Sequence, residues 1–306
     1  MSLPLRALRV MCIYVHMNTR HPRLLLPVVI GASALVTLAA STLGVEPAHA
    51  MTVVTVVVLA GTFWLERRAP FRRDWLERPG AETRADLTYV LLASLPDRAA
   101  RVGTEVAVMS VLALFGVAAA GERSFLDGLL RGLAAFVLAD LGKYLIHRAS
   151  HEGWLWRFHL AHHQPTRVDA LNALRIHPVN MAYNAAIDAF FAVTFAVPPG
   201  IAAAFATVRA VVALLSHANL DLDDQRQWVF STPGHHRLHH AVELEQANSN
   251  YGSTLLVWDR LLGTLRQGAA PASVGVAQTG LPTSYLGQLV HPFCGSEACL
   301  ARFGLR

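Results

Sequence analysis

The chain has 306 residues, 53% of them hydrophobic and 15% charged, with a formal net charge of +5. Soluble domains carry about 25% charged residues, so this composition argues against an ordinary water-soluble enzyme and for a bilayer. The arginine runs flank apolar segments, which suits an anionic cytoplasmic leaflet better than a nucleic acid.

Leu24 to Val45 is long enough to cross about 30 Å of hydrocarbon, and Met51 to Leu65 returns from it into ERRAPFRRDWLERPGAETR. A cleavable leader ending at Ala48-His49-Ala50 competes, although the apolar run exceeds a usual leader core. Arg20, Arg23 and the basic stretch place both outer ends of this hairpin in the cytoplasm. The next apolar region, Leu87 to Ala119, is interrupted by PDRAAR at 96–101. Leu87 to Leu95 reads as an interfacial or partly inserted helix, and Val102 to Ala119 as the crossing segment. Phe125 to Ile146 comes back, carrying Arg131, Asp140 and Lys143, and delivers His147. Pro178 to Val197 and Ile201 to Leu215 form a second hairpin with PPG at its tip, ending at His217. Asp188 and Arg209 stand equally far from that tip, so on antiparallel helices they share a depth, where an unpaired charge is costly; they are expected to pair.

The expected organisation is a cytosolic tail at 1–23, a transmembrane hairpin at 24–65, a basic cytosolic loop at 66–86, a catalytic region at 87–264 and a cytosolic tail at 265–306. The fold class is an all-α integral membrane bundle, capped by a cytosolic helical domain that holds a histidine-rich di-metal site. It makes about six crossings, or four plus a shallow hairpin, with 147–177 and 217–306 on one side. The three cysteines, Cys12, Cys294 and Cys299, are too few for a disulfide framework and read as free thiols in a reducing compartment. No iron–sulfur cluster is expected, so electrons for any redox step come from another protein.

Eleven of the 15 histidines fall between His147 and His240. His147 and His151 are four apart. His159, His162 and His163 are spaced three and then one, and His236, His239 and His240 repeat that spacing. Residues three and four apart share a helix face, so each set aims several imidazoles at one point. Neutral imidazole suits iron, zinc, copper or nickel. Eight such donors exceed what one ion uses, and the count argues for two metals without the carboxylates of soluble di-iron bundles.

HRASH, WRFHLAHH and TPGHHRLHH resemble the three histidine boxes of the fatty acid hydroxylase / sterol desaturase superfamily of membrane di-iron oxygenases. DLGKYLIHR before the first box, LRIHP after the second, SHAN before the third, and NSNYG and WDRLLGT after it extend the resemblance over about Glu66 to Thr264. It implies metal ligation by His147, His151, His159, His162, His163, His236, His239 and His240, with His217 as a ninth ligand. His177 is either a ligand or a donor beside Pro178. The cofactors implied are two iron ions, with dioxygen as co-substrate. The sequence departs from the pattern at Ala213, where some members carry a further histidine, which leaves one ion with an open or water-filled position. It departs again at Asn248, where an acidic residue is usual. His235 is an extra histidine; spacing from Pro233 gives the metal to His236 and leaves His235 behind the ligands or on the surface. Asp140 either orients an imidazole or anchors the fold. Asn219 either bonds a ligand or caps the turn after His217. Tyr144 and Trp156 read as packing residues, and Trp258 and Asp259 as fixing the polar domain to the site.

The resemblance implies a membrane lipid as substrate, a fatty acyl chain or a sterol-like molecule, hydroxylated at an unactivated C–H bond, with desaturation as the alternative on the same site. The electron donor is a small haem protein or a ferredoxin with its reductase. The setting is a bacterial inner membrane with the active site facing the cytoplasm. A histidine-rich metal transporter or sensor would want ligands at mid-membrane, and a zinc hydrolase would want fewer ligands and an acid among them.

Overall fold

The computed structural model describes residues 22–77, 80–92, 94–116, 124–222, 229–294 and 299. Cys12, Arg20, the rest of the N-terminal tail to residue 21, and the end of the expected crossing segment at 117–119 lie outside them. Among the described residues the regular structure is helical, with three isolated β-bridges, Pro70 to Leu220, Phe230 to Leu255 and Ala241 to Val274.

The long helices are α1 (Pro22–Thr42), α2 (Pro47–Arg68), α3 (Gly80–Leu92), α4 (Ser94–Leu114), α5 (Phe125–Ser150), α6 (Gly153–His163), α7 (Pro178–Thr194) and α8 (Pro199–Ser216). Their starts follow local chemistry. Pro47, Pro178 and Pro199 each stand in a first turn, where a missing N–H costs nothing. Ser124 caps α5 by accepting from Asp127 N at 3.1 Å. Three helices, α1, α2 and α8, are long and apolar enough to cross a membrane. Both α1 and α2 pack on α8, while α4 and α5 pack on α7. Leu26, Ile30, Val58, Val211, Val212 and Leu214 form the apolar core between the first group. Gly128 and Gly132 let α5 lie against the start of α8; a Cβ on Gly132 would stand 2.5 Å from Ile201 Cγ2.

Asp188 and Arg209 meet as expected, Oδ1 to Nε at 3.4 Å, but not as an isolated pair. Arg209 also donates to Asp140 Oδ1 at 3.1 Å, and Lys143 pairs with Asp188. The four groups form a neutral row, Asp140–Arg209–Asp188–Lys143, between α5, α7 and α8.

Four expectations are corrected. PDRAAR does not interrupt the fourth helix: α4 begins at Ser94, so Pro96 stands in the first turn, where proline breaks no hydrogen bond. The basic stretch 66–86 is not loop throughout, because α3 begins at Gly80 and crosses the 86–87 boundary, and its acids turn inward. Glu82 and Asp86 pair with Arg167, Asp86 also with Arg175 at 3.2 Å, and Glu66 accepts from Ala170 N and Asn219 N, both at 2.9 Å. Residues 265–294 are not a loose tail: Leu289 O meets His177, Gln164 donates to Pro282 O, and Val274 packs on Trp75 and Val168. Finally, Cys294 and Cys299 are joined in a disulfide, their Cα atoms 5.5 Å apart, rather than standing as free thiols.

Candidate metal centre

The site sits where α5, α6, α8 and the short helix α9 (Pro233–His239) all end. His147 lies in the last turn of α5, and His151 caps it. His159, His162 and His163 come from α6, His217 caps α8, and His236 and His239 lie on α9 with His240 at its cap. Thr232 accepts the amide N–H of His235 and so starts α9 immediately before its histidines.

These nine imidazoles gather into two sets. His147, His151, His159, His163 and His239 form one, and His162, His217, His236 and His240 the other; within each set the ring nitrogens lie within 4.8 Å of one another. The two His-x-x-His-His segments divide in a regular way. On each helix the pair four apart stays together, His159 with His163 and His236 with His240. The remaining residue, His162 or His239, crosses to the opposite set. Each segment therefore contributes to both sets.

Hydrogen bonds fix the tautomers. Nδ1–H of His147 donates to Tyr251 O at 2.6 Å, that of His239 to Ser249 O at 2.7 Å and that of His217 to Ala213 O at 2.7 Å. Nδ1–H of His159 donates to Asn180 Oδ1 at 2.9 Å. In these rings Nε2 is consequently a bare lone pair. Yet His147 Nε2 faces His159 Nε2 and His239 Nε2 at 3.0 Å each. Two acceptors cannot hydrogen-bond each other, and lone pairs converging at that distance repel unless a cation stands among them. Burial reinforces this neutrality: it pulls His159 down to about 3 and His217 to about 4, and holds His162, His163, His236, His239 and His240 well below the ordinary value. The donor set fits two borderline transition-metal ions.

The segment carrying NSNYG supplies the acceptors. Asn250 holds φ +53°, a left-handed conformation that asparagine tolerates. Its side chain donates to His235 O and Arg266 O, and the carbonyls on either side of it reach His239 and His147. Asp259 accepts from Tyr251 N and Gly252 N at 2.8 Å each and locks that backbone, while Trp258 Nε1 donates to Asp140. Asn248 hydrogen-bonds His151. Tyr144 bonds Thr264 Oγ1 at 2.7 Å, and Trp156 packs on His151 and His163, ring centroids 5.6 Å from each.

Four candidates stand elsewhere. His177 Nδ1 accepts from Val179 N at 3.1 Å, so its proton sits on Nε2 and faces Leu289 O at 3.2 Å. Both nitrogens are engaged, and His177 is a helix cap rather than a member of either set. His235 is fully buried, not on the surface, and turns its Nδ1 to Thr232 Oγ1 at 2.8 Å. Asp140 touches no histidine; it anchors Arg209, Trp258 and Leu255 N. Asn219 pairs with the backbone of Arg72 through both its amide atoms, at 2.9 Å each, and ties the segment after α2 to the end of α8. Asn180 was missed by the sequence reading. Its signal was a polar side chain near the start of an apolar helix.

A cavity of about 300 Å³ opens beside the histidines. His147, His159, His162, His217 and His236 form one end. Ala213, at the position of the departure, lines it next to the set with four members rather than five.

The family model described as fatty acid hydroxylase matches residues 132–264. An ornithine lipid hydroxylase of Rhizobium tropici is 32% identical over 247 residues, covering 78% of this chain and 73% of that protein. Alkylglycerol monooxygenases of Xenopus tropicalis and Caenorhabditis elegans are 30% and 33% identical over 131 and 130 residues. Those matches cover 42% and 41% of this chain but only 29% and 25% of the relatives. No solved structure matches the chain.

Proposed function

The chain belongs to the fatty acid hydroxylase family, and from that premise we propose that it is a membrane di-iron oxygenase that hydroxylates an unactivated C–H bond of a lipid. The observation that carries this reading is the convergence of nine buried or half-buried imidazoles in two sets beside a cavity between apolar helices. The two histidine sets would hold two iron ions, which would supply dioxygen activation and hydrogen removal from carbon. The overall reaction inserts one oxygen atom into the C–H bond and releases the other as water, consuming two electrons and two protons from outside.

The protein's own residues orient and dry the site. Three backbone carbonyls and the Asn180 amide hold the imidazoles in register, which keeps their lone pairs inward without a carboxylate. The cavity admits the substrate from the side of α7 and α8. Half-exposed Trp156, in contact with His151 and His163, is the entry for electrons from a small haem protein or ferredoxin with its reductase. Similarity to an ornithine lipid hydroxylase over most of its length makes a membrane aminolipid the first substrate to test.

The basic residues Arg67, Arg68, Arg72 and Arg73, which follow the first hairpin, support a site on the cytoplasmic side of a bacterial inner membrane. The Cys294–Cys299 disulfide favours the opposite, oxidising side. Labelling these thiols in intact cells with an impermeant maleimide, before and after reduction, decides the orientation.

The test of function is lipid mass spectrometry on cells expressing the chain or its His162→Ala variant, in a host that supplies iron and electrons. A lipid gaining one oxygen only with the intact site is the expected result. A lipid losing two hydrogens would instead mean desaturation on the same site.

A further inference from the structure

The cavity is not a plain hydrocarbon channel. From the histidine end it runs along α8 past Arg209 to Ala206, and its walls include Lys143, Asp188 and Arg209 among apolar residues. Lys143 precedes His147 by four residues and Arg209 precedes His217 by eight, so these cations stand roughly 6 Å and 12 Å of helix rise from the metal end.

The row they belong to divides into two parts. Asp140 is 2% exposed and is consumed by Arg209, Trp258 Nε1 and Leu255 N; it serves the fold. Asp188, between Lys143 and Arg209, keeps 30% of its side chain exposed while lining the cavity, against 14% and 13% for its two partners. Ionic groups placed only to join helices inside a bilayer gain nothing from facing a cavity. An alkyl chain lying there would strip their water and offer no hydrogen bond in return. A polar group would offer one. Because the row is neutral as a whole, it suits a group with both donors and acceptors and no net charge.

Building on the proposed lipid hydroxylation, we infer that Lys143, Asp188 and Arg209 form a subsite for the polar linkage of an amide-bearing lipid. The carbon presented to the histidines then lies within roughly 6–12 Å of that linkage. The acyl chain beyond the linkage continues away from the histidines, toward the bilayer midplane. Oxidation therefore falls on the head-proximal part of the lipid and not on the chain terminus.

The deciding experiment is fragmentation mass spectrometry of the oxygenated lipid made by the intact protein, supplied with an ornithine-containing lipid, iron and a reducing system. Oxygen carried by the fragment that holds the polar linkage supports the subsite. Oxygen in the terminal half of an acyl chain overturns it and leaves lipid hydroxylation standing. No oxygenated product from the iron-loaded, reduced protein overturns both. A second measurement tests the residues. Asp188→Asn is expected to raise KM for this lipid about tenfold, the scale of one lost charged hydrogen bond, with kcat and iron content nearly unchanged and Asp188→Glu restoring KM. An equal loss of kcat and stability, with KM unchanged, would assign Asp188 to helix pairing alone and overturn the subsite.

Discussion

His163 and His240 stack with ring centroids 4.2 Å apart and planes 21° apart, yet they belong to different histidine sets. The two sets thus share a wall, and that wall is made by one residue from each His-x-x-His-His segment. His163→Ala removes a donor from one set and the packing surface of the other, so both ions are expected to be lost together. His235→Ala, next to the same segment but turned to Thr232, is expected to keep both. Iron per chain after purification distinguishes them; loss of a single ion from His163→Ala would mean that the sets are independent.

His177 supplies the contrasting case. As an N-cap of α7 it contributes about 1 kcal/mol, and neither of its nitrogens is available to a metal. His177→Ala is expected to lower the melting temperature by a few degrees and leave iron content unchanged. Iron loss without loss of stability would restore His177 to the ligands.

Asn180 receives the inward-orienting bond of His159 through a side chain rather than backbone. Asn180→Leu keeps the volume, removes the acceptor and frees the His159 ring to flip. Metal affinity should fall roughly 10–100-fold, the usual effect of removing such a partner. Asn180→Asp keeps an acceptor and should recover most of it. Competition against a coloured chelator reads both variants.

The histidine spacing made the two-metal reading legible, because residues four apart must share a helix face. It did not tell which residue of His162 and His163 joins which set. That depends on where α9 packs against α6, which helix rotation alone does not specify. The acceptors were hidden for a different reason: Tyr251, Ser249 and Ala213 act through carbonyls that every residue has. The Asp188–Arg209 pair was readable from equal distances to a turn. Asp140 was not readable as its third member, since α5 carries no mark of the side it turns to α8. Proline misled at Pro96, where its place in the first turn made it compatible with a helix. The cysteine pair misled because a separation of five positions does not by itself bring two Cα atoms to the 5.5 Å found here.

Gly252 tests the backbone part of the site. A Cβ there would lie 2.3 Å from Leu255 O and 2.5 Å from Asp259 Oδ2. The first is backbone and cannot swing aside, and the second is the carboxylate that holds Tyr251 N and Gly252 N. Gly252→Ala should therefore displace Tyr251 O from His147, costing about 1–3 kcal/mol in stability and reducing iron content. If iron content stays at the wild-type level, the carbonyl is not what fixes His147.

The last prediction concerns pH. An unfolded histidine titrates near 6.5, whereas in the metal-free fold burial lowers His159 to about 3 and His217 to about 4. Between these limits the unfolded chain binds more protons than the folded one, so stability rises with pH across the window and levels off above the unfolded value. The metal-free protein in detergent should thus melt at nearly the same temperature at about pH 7.5 and pH 8.5, and several degrees lower at about pH 5.5, since each kcal/mol is worth roughly 2–4 °C in a chain of this size. Burial pushes the Asp86 and Asp259 carboxyls up, which favours the folded state on acidification and opposes the fall, so the fall belongs to the imidazoles. The His159→Gln variant removes one of the contributing groups and should flatten the profile. A melting temperature that rises on acidification would show that the buried rings take up protons in the folded state, which lone pairs held inward by Tyr251, Ser249, Ala213 and Asn180 are arranged to resist.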